Sequence, residues 1–146
     1  MRKPDKPLRI LLDNNVYVSA IHDPERNTQS LQLIIEIIRN KEIKLIGNNY
    51  LLEEMSKYSK VYPSPTALLL LRALVSKIDL VSVEDRYIKI CSNYISQTYA
   101  VDIIHAATCL QTDSILITND KHFKKIKQEG IIKIWNIKKS LNEILK

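Results

Sequence analysis

Short apolar runs, bounded by polar or turn-forming residues, alternate along this chain with longer segments in which apolar residues return every three or four positions. The runs read as buried strands over 8–12, 43–47, 78–83, 114–118 and 131–134. Between them the spacing predicts helices. A short one covers 16–21 and is broken by His22-Asp23-Pro24. Thr28 is the candidate N-cap of a helix running through Arg39, with Leu31, Ile34, Ile35 and Ile38 as its apolar positions. Asn48 or Asn49 caps a helix over 50–59, and Pro65 lies near the first turn of another over 66–77. A polar-faced helix is expected over 84–96, and one that is apolar almost all round over 101–112. A short helix reaching Lys127 and a closing helix over 140–145 complete the pattern. Fully apolar strands alternating with helices predict an α/β fold, a parallel sheet covered on both faces. With no internal repeat, low-complexity tract or linker, residues 1–146 are expected to form one domain.

Composition narrows the class. The chain is 45% hydrophobic and 26% charged with only two glycines, which is globular rather than disordered chemistry. No apolar run approaches the roughly 18 residues that a membrane span needs. The basic stretch from Met1 to Asp13 has its apolar run cut short by Asp13 and lacks a small-residue cleavage site, unlike a signal peptide. Cys91 and Cys109 sit in apolar helical stretches, where small buried hydrophobes in a reducing, cytoplasmic compartment are the expectation. A net charge of +6 makes a polyanionic partner plausible. The positive residues include Arg2, Lys3, Lys6 and Arg9, and a cluster formed by Lys121, Lys124, Lys125 and Lys127. A solvated surface explains such lysines equally well.

The acids change the picture more. In an open α/β sheet, ligands bind beyond the carboxyl ends of the strands. Asp13 directly follows the first strand and Asp120 follows the fourth, so a parallel sheet puts both on one edge. Taken alone, each has an ordinary explanation as a helix cap or Asx-turn. Asp102 is harder to explain away, because it opens the most apolar helix of the chain, where an ionised carboxylate is costly unless paired or bound to a cation. Its ordinary explanation is a favourable place in the helix dipole. A fourth acid is Glu53 or Glu54. On a helix whose apolar stripe is Leu51, Met55 and Tyr58, Glu54 flanks the stripe and Glu53 lies nearly opposite, which selects Glu54. Carboxylates converging on one pocket either share protons or hold cations, and an all-oxygen donor set favours Mg²⁺ or Mn²⁺ over zinc. Neither an HExxH nor a CxxC motif is present, and the three histidines are scattered. Metal-assisted phosphodiester hydrolysis suits such a cluster.

The motifs also resemble a known family. Leu11-Leu12-Asp13-Asn14-Asn15 resembles the opening of PIN domains; Leu51-Leu52-Glu53-Glu54-Met55 is similar to their second motif, with Glu54 in the functional place. Ala100-Val101-Asp102-Ile103-Ile104-His105-Ala106-Ala107 resembles the third, and Thr118-Asn119-Asp120-Lys121-His122-Phe123 the fourth. The resemblance spans about 8–134. It implies a three-layer α/β/α fold around a five-stranded parallel sheet, and Mg²⁺- or Mn²⁺-dependent endoribonuclease activity. It implies Asp13, Asp102 and Asp120 as metal ligands with Glu54 completing the site, and Asn15 and Thr118 as supporting hydrogen-bonders. Many small members of this kind are VapC-like toxins of toxin–antitoxin pairs, so the resemblance further implies an antitoxin partner and a homodimer. Lys121, Lys124 and Lys125 are candidate contacts to RNA phosphates. His105, three residues from Asp102 and on the same face, reads as a structural histidine rather than a metal ligand, because hard cations prefer oxygen. A phosphoacceptor built on Asp13 is the poorer alternative, since Asp13-Asn14-Asn15 lacks a second acid; a non-cutting binding module with this fold is the other.

Overall fold

A computed structural model describes residues 7–26 and 28–145, so the expected basic positions Arg2, Lys3 and Lys6 lie outside the described residues. The elements follow the expected alternation. Strand β1 (Leu8–Leu12) leads into helix α1 (Asn14–His22), a 3₁₀ turn at Pro24–Arg26, and α2 (Gln29–Arg39). Then come β2 (Ile43–Gly47), α3 (Asn49–Val61), α4 (Pro65–Lys77), β3 (Asp79–Leu80) and α5 (Asp85–Cys91). A 3₁₀ turn at Gln97–Tyr99 precedes α6 (Ala100–Thr112) and β4 (Ile115–Ile117); a further turn at Lys121–Phe123 opens α7 (Lys124–Gln128), followed by β5 (Ile134–Trp135) and α8 (Ile137–Ile144).

Capping chemistry sets several of these starts. The side chains of Thr28, Asn48, Ser64 and Asn136 each accept a backbone N–H in the first turn of α2, α3, α4 and α8 respectively. Pro65 occupies the first position of α4, where its missing N–H is not needed.

The five strands are all parallel in the order β3-β2-β1-β4-β5. From β1 the chain moves one way to β2 and β3, then returns to build β4 and β5 on the other side. Right-handed crossovers therefore place α1–α4 on one face and α5–α6 on the other, and leave a crevice at the carboxyl ends of β1 and β4. The central strand is buried throughout its last three residues, Ile10, Leu11 and Leu12. Helix α6 packs on β1, β2 and β4, while α2 packs on α1 and α8. Tyr17 of α1 buries its ring and donates its hydroxyl to the Ala67 carbonyl of α4 at 3.0 Å, tying the helical layer together. Cys91 and Cys109 are free and buried, and burial pushes both thiols up, Cys91 to about 11, so both behave as the small hydrophobes expected.

The differences from expectation are local. The third strand shrinks to Asp79–Leu80, both exposed, because α4 runs to Lys77 and Ile78 closes it by donating its N–H to the Leu74 carbonyl. The last strand shifts to Ile134–Trp135, because Ile131 still closes the turn after α7, its N–H donating to Ile126, with Gly130 at a positive φ. The helix expected over 84–96 stops at Cys91 in a series of tight turns. On α2, Ile37 and not Ile35 faces the core; Ile35 is exposed.

One long side chain secures the end of α2. Lys77 sends Nζ to the carbonyls of Ile37 and Ile38, at the end of α2 where intrahelical donors run out, and to that of Asn40, which also accepts the Ile43 N–H. Burial lowers its pKa. Lys77→Met keeps the apolar stem and removes the donors, and is expected to lower unfolding free energy by about 1–3 kcal/mol in urea titration. An unchanged midpoint would show that these bonds contribute nothing net.

Candidate active site

Asp13 follows β1 at the N-cap position of α1, yet its side chain makes no capping hydrogen bond. The ordinary helix-cap explanation therefore fails for this residue. Its backbone N–H donates to the Ile117 carbonyl at 3.0 Å, continuing the β1–β4 ladder, which sets residue 13 beside residue 118. The Thr118 hydroxyl donates to Asp13 Oδ2 at 2.8 Å. Thr118 Oγ1 itself accepts from Asn15 Nδ2 at 3.2 Å and from the Asp120 backbone N–H at 3.0 Å. One donor and two acceptor sites are all that a hydroxyl has, so Thr118 is saturated. Asp13 is only 5% exposed. Burial lifts its pKa from 3.8 to about 6, with Asp102 and Glu54 adding to the rise and His105 and the Thr118 hydroxyl offsetting part of it.

Glu54 is held from the opposite side. Asn48 caps α3 with Oδ1 accepting the Leu51 N–H at 2.9 Å, which fixes the orientation of its amide. Its Nδ2 must then donate, at 3.1 Å to His105 Nδ1 and at 3.0 Å to the Thr108 hydroxyl, which in turn donates to the Ile104 carbonyl at 2.7 Å. Since Nδ1 of His105 accepts, its proton is on Nε2, which donates to Glu54 Oε1 at 2.9 Å. His105 is completely buried. It is structural, as its position suggested, but its hydrogen bond also orients a candidate acid. Glu53 is exposed on the far side of α3.

Asp102 and Asp120 meet across the crevice through a residue that sequence reasoning did not single out. His122 Nδ1 lies 2.8 Å from Asp102 Oδ2 and 3.1 Å from Asp120 Oδ1. Asp120 Oδ1 also accepts the His122 backbone N–H at 3.0 Å, so the ordinary turn-forming role of this Asp is real but incomplete. The His122 ring stacks on Tyr99 with centroids 3.5 Å apart. Burial raises the Asp102 pKa, and Asp120 adds to the rise, while His122 and His105 oppose it. The only signal in the sequence for His122 was its place two residues after Asp120.

Asp13, Glu54, Asp102 and Asp120 together line one cleft of about 250 Å³, with Asn14, Asn15, Val18 and Tyr58. Among the described residues, no Lys or Arg pairs with any of the four acids. Two buried amide oxygens at the cleft, Oδ1 of Asn14 and of Asn15, have no hydrogen-bond partner. Clustered carboxylates without a cationic side chain, plus orphaned amide oxygens, are the donor set of a hard divalent cation, so the residues present fit Mg²⁺ or Mn²⁺. Lys121, Lys124 and Lys125 are exposed beyond the cleft and do not line it; Lys125 lies 6.0 Å over the Tyr94 ring. A pocket of about 340 Å³ at the amino ends of β1 and β4, beside Pro7, Asp113 and Gly130, gathers no comparable set of acids.

The family model for the PIN domain matches residues 10–129. No curated protein matches the chain. Among solved structures, VapBC2 from Rickettsia felis, bound to a DNA fragment from its promoter, superposes with a TM-score of 0.62 at 17% identity, over 88% of this chain and 98% of that one. FitAB bound to a DNA fragment gives 0.56 at 20% identity over 88% and 94%. VapBC-1 from nontypeable Haemophilus influenzae gives 0.58 at 13% identity over 90% and 99%. These likenesses establish the fold: three-layer α/β/α around a five-stranded parallel sheet.

The raised pKa of Asp13 has a measurable sign. A carboxyl that binds its proton more tightly when folded stabilises the protein at low pH, and that contribution disappears as pH rises from about 4 through about 6. In EDTA, Asp13→Asn is therefore expected to be more stable than the parent chain at pH 8, by on the order of 1–3 kcal/mol, with the difference vanishing near pH 4. Thermal unfolding at the two pH values checks this; a variant less stable at pH 8 would contradict it.

Proposed function

This chain belongs to the PIN domain family, and we propose that it is a Mg²⁺- or Mn²⁺-dependent endoribonuclease serving as the toxin of a toxin–antitoxin pair. The observation that carries the proposal is the convergence of four carboxylates from four separate segments on one cleft in which, among the described residues, no Lys or Arg balances them. Asp13, Asp102 and Asp120 would hold the cation, which when bound supplies charge neutralisation at the scissile phosphate and a more acidic water. The residues of the chain do the rest. Thr118 and Asn15 keep Asp13 turned toward the cleft. His105 engages one oxygen of Glu54, leaving the other free to orient the attacking water and take its proton.

An RNA substrate is supported by the basic excess and by the exposed Lys121, Lys124 and Lys125 near the end of β4. An antitoxin partner is supported by the two-component names of the structural neighbours, VapBC and FitAB, and a homodimer by the family resemblance. No helix among the described residues is long and apolar enough to cross a membrane, which fits the proposed work in the cytoplasm.

The purified chain is expected to cleave single-stranded RNA with Mn²⁺ or Mg²⁺ and to stop in EDTA. Asp102→Asn is expected to lower the rate by at least about 100-fold while leaving the circular dichroism spectrum unchanged. Expression is expected to arrest growth, and the same substitution to relieve the arrest. Cleavage indifferent to EDTA and to Asp102→Asn would overturn the proposal. Mn²⁺ binding without cleavage of any RNA would favour the binding module instead.

A further inference from the structure

The four acids account for an oxygen-lined site, but the side chain that joins Asp102 to Asp120 is a histidine. His122 Nδ1, Asp102 Oδ2 and Asp120 Oδ1 approach one another at 2.8 and 3.1 Å, and the ligand atoms of this trio all lie within 4.8 Å of each other. Adjacent corners of an octahedral shell around Mg²⁺ or Mn²⁺ are roughly 3 Å apart, because bonds of about 2.1 Å meet at right angles. The separations around His122 are those of such an edge.

The ring is also prevented from turning away. Its backbone N–H is bound to Asp120 Oδ1 at 3.0 Å, and its face is stacked on Tyr99 with an interplanar angle of 19°. Independently of the acids, Asn14 is nine-tenths buried at this cleft with its Oδ1 unpartnered, an oxygen waiting for a donor or a cation.

We infer that His122 binds the divalent ion directly through Nδ1, beside Asp102 and Asp120, and that this nitrogen makes the site prefer Mn²⁺ to Mg²⁺. The inference rests on the metal-dependent reading above. In the ion-free protein the Nδ1–H is shared between the two carboxylates. Ligation needs the other tautomer, with the proton on Nε2 and the Nδ1 lone pair facing the ion. Mg²⁺ favours oxygen and holds its waters, whereas Mn²⁺ accepts an imidazole nitrogen far more readily, so one histidine among acids shifts selectivity without excluding either ion.

Pulsed electron paramagnetic resonance of Mn²⁺ bound to the full chain tests this without any activity assay. The parent chain is expected to show the ¹⁴N coupling of a directly bound imidazole. His122→Gln is expected to lose that coupling and to bind Mn²⁺ about 10-fold more weakly, with Mg²⁺ affinity, read by competition, falling much less. Mn²⁺ bound with no ¹⁴N coupling, coupling that survives His122→Gln, or tighter Mn²⁺ binding by the variant would each overturn the inference and leave the metal-dependent reading intact. A parent chain that binds no Mn²⁺ at all would overturn both. The parent spectrum is decisive even where the variant misfolds.

Discussion

The structure is organised around the cost of burying one carboxylate. Asp13 ends the central strand at the point where the crossovers diverge, and almost no water reaches it. A charge in such a place is tolerated only where hydrogen bonds and a counter-charge meet it. The protein supplies one strong hydrogen bond, from Thr118, and spends the remaining valences of that hydroxyl on Asn15 and on the Asp120 backbone. Among the described residues it supplies no Lys or Arg. The resulting rise of its pKa is the expected condition of a site whose missing counter-charge arrives with a ligand.

Each of the three middle strands delivers a polar anchor as it leaves the sheet. β1 delivers Asp13, β2 delivers Asn48, and β4 delivers Thr118. From Asn48 the hydrogen bonds run through His105 of α6 to Glu54 of α3, so helices on opposite faces of the sheet meet over its edge. Among the described residues, the buried side-chain polar atoms left without a hydrogen-bond partner are the two asparagine oxygens at the cleft. Rigidity around an electrostatically unfavourable centre is how a protein holds acids at fixed separations before a cation binds.

Much of this was legible in the chain because it follows from position. Asp13 and Asp120 stand after apolar runs too short to be helices, and parallel pairing alone brings them to one edge. The 100° advance of a helix separates Glu54, half-buried at the cleft, from Glu53, exposed. Burial on most faces of α6 marked Asp102 as unusual, although it ends half-buried rather than enclosed. What was not legible depends on how elements cross. No periodicity says that Asn48 reaches His105 across 57 positions, or that a 3₁₀ turn swings His122 back onto Asp102. The strand errors have the same origin: at Ile78 and Ile131 the apolar pattern continues, but backbone hydrogen bonds to the preceding helix still hold those residues.

The central claim is that Asp13, Asp102 and Asp120 hold one cation with Glu54 completing the site, and calorimetric Mn²⁺ titration of single amide variants tests it most directly. Asp13→Asn, Asp102→Asn, Asp120→Asn and Glu54→Gln should each weaken binding, while Glu53→Gln, one residue away but on the exposed face of α3, should titrate like the parent chain. Binding that is indifferent to the four substitutions, or that falls as far with Glu53→Gln, would contradict the claim.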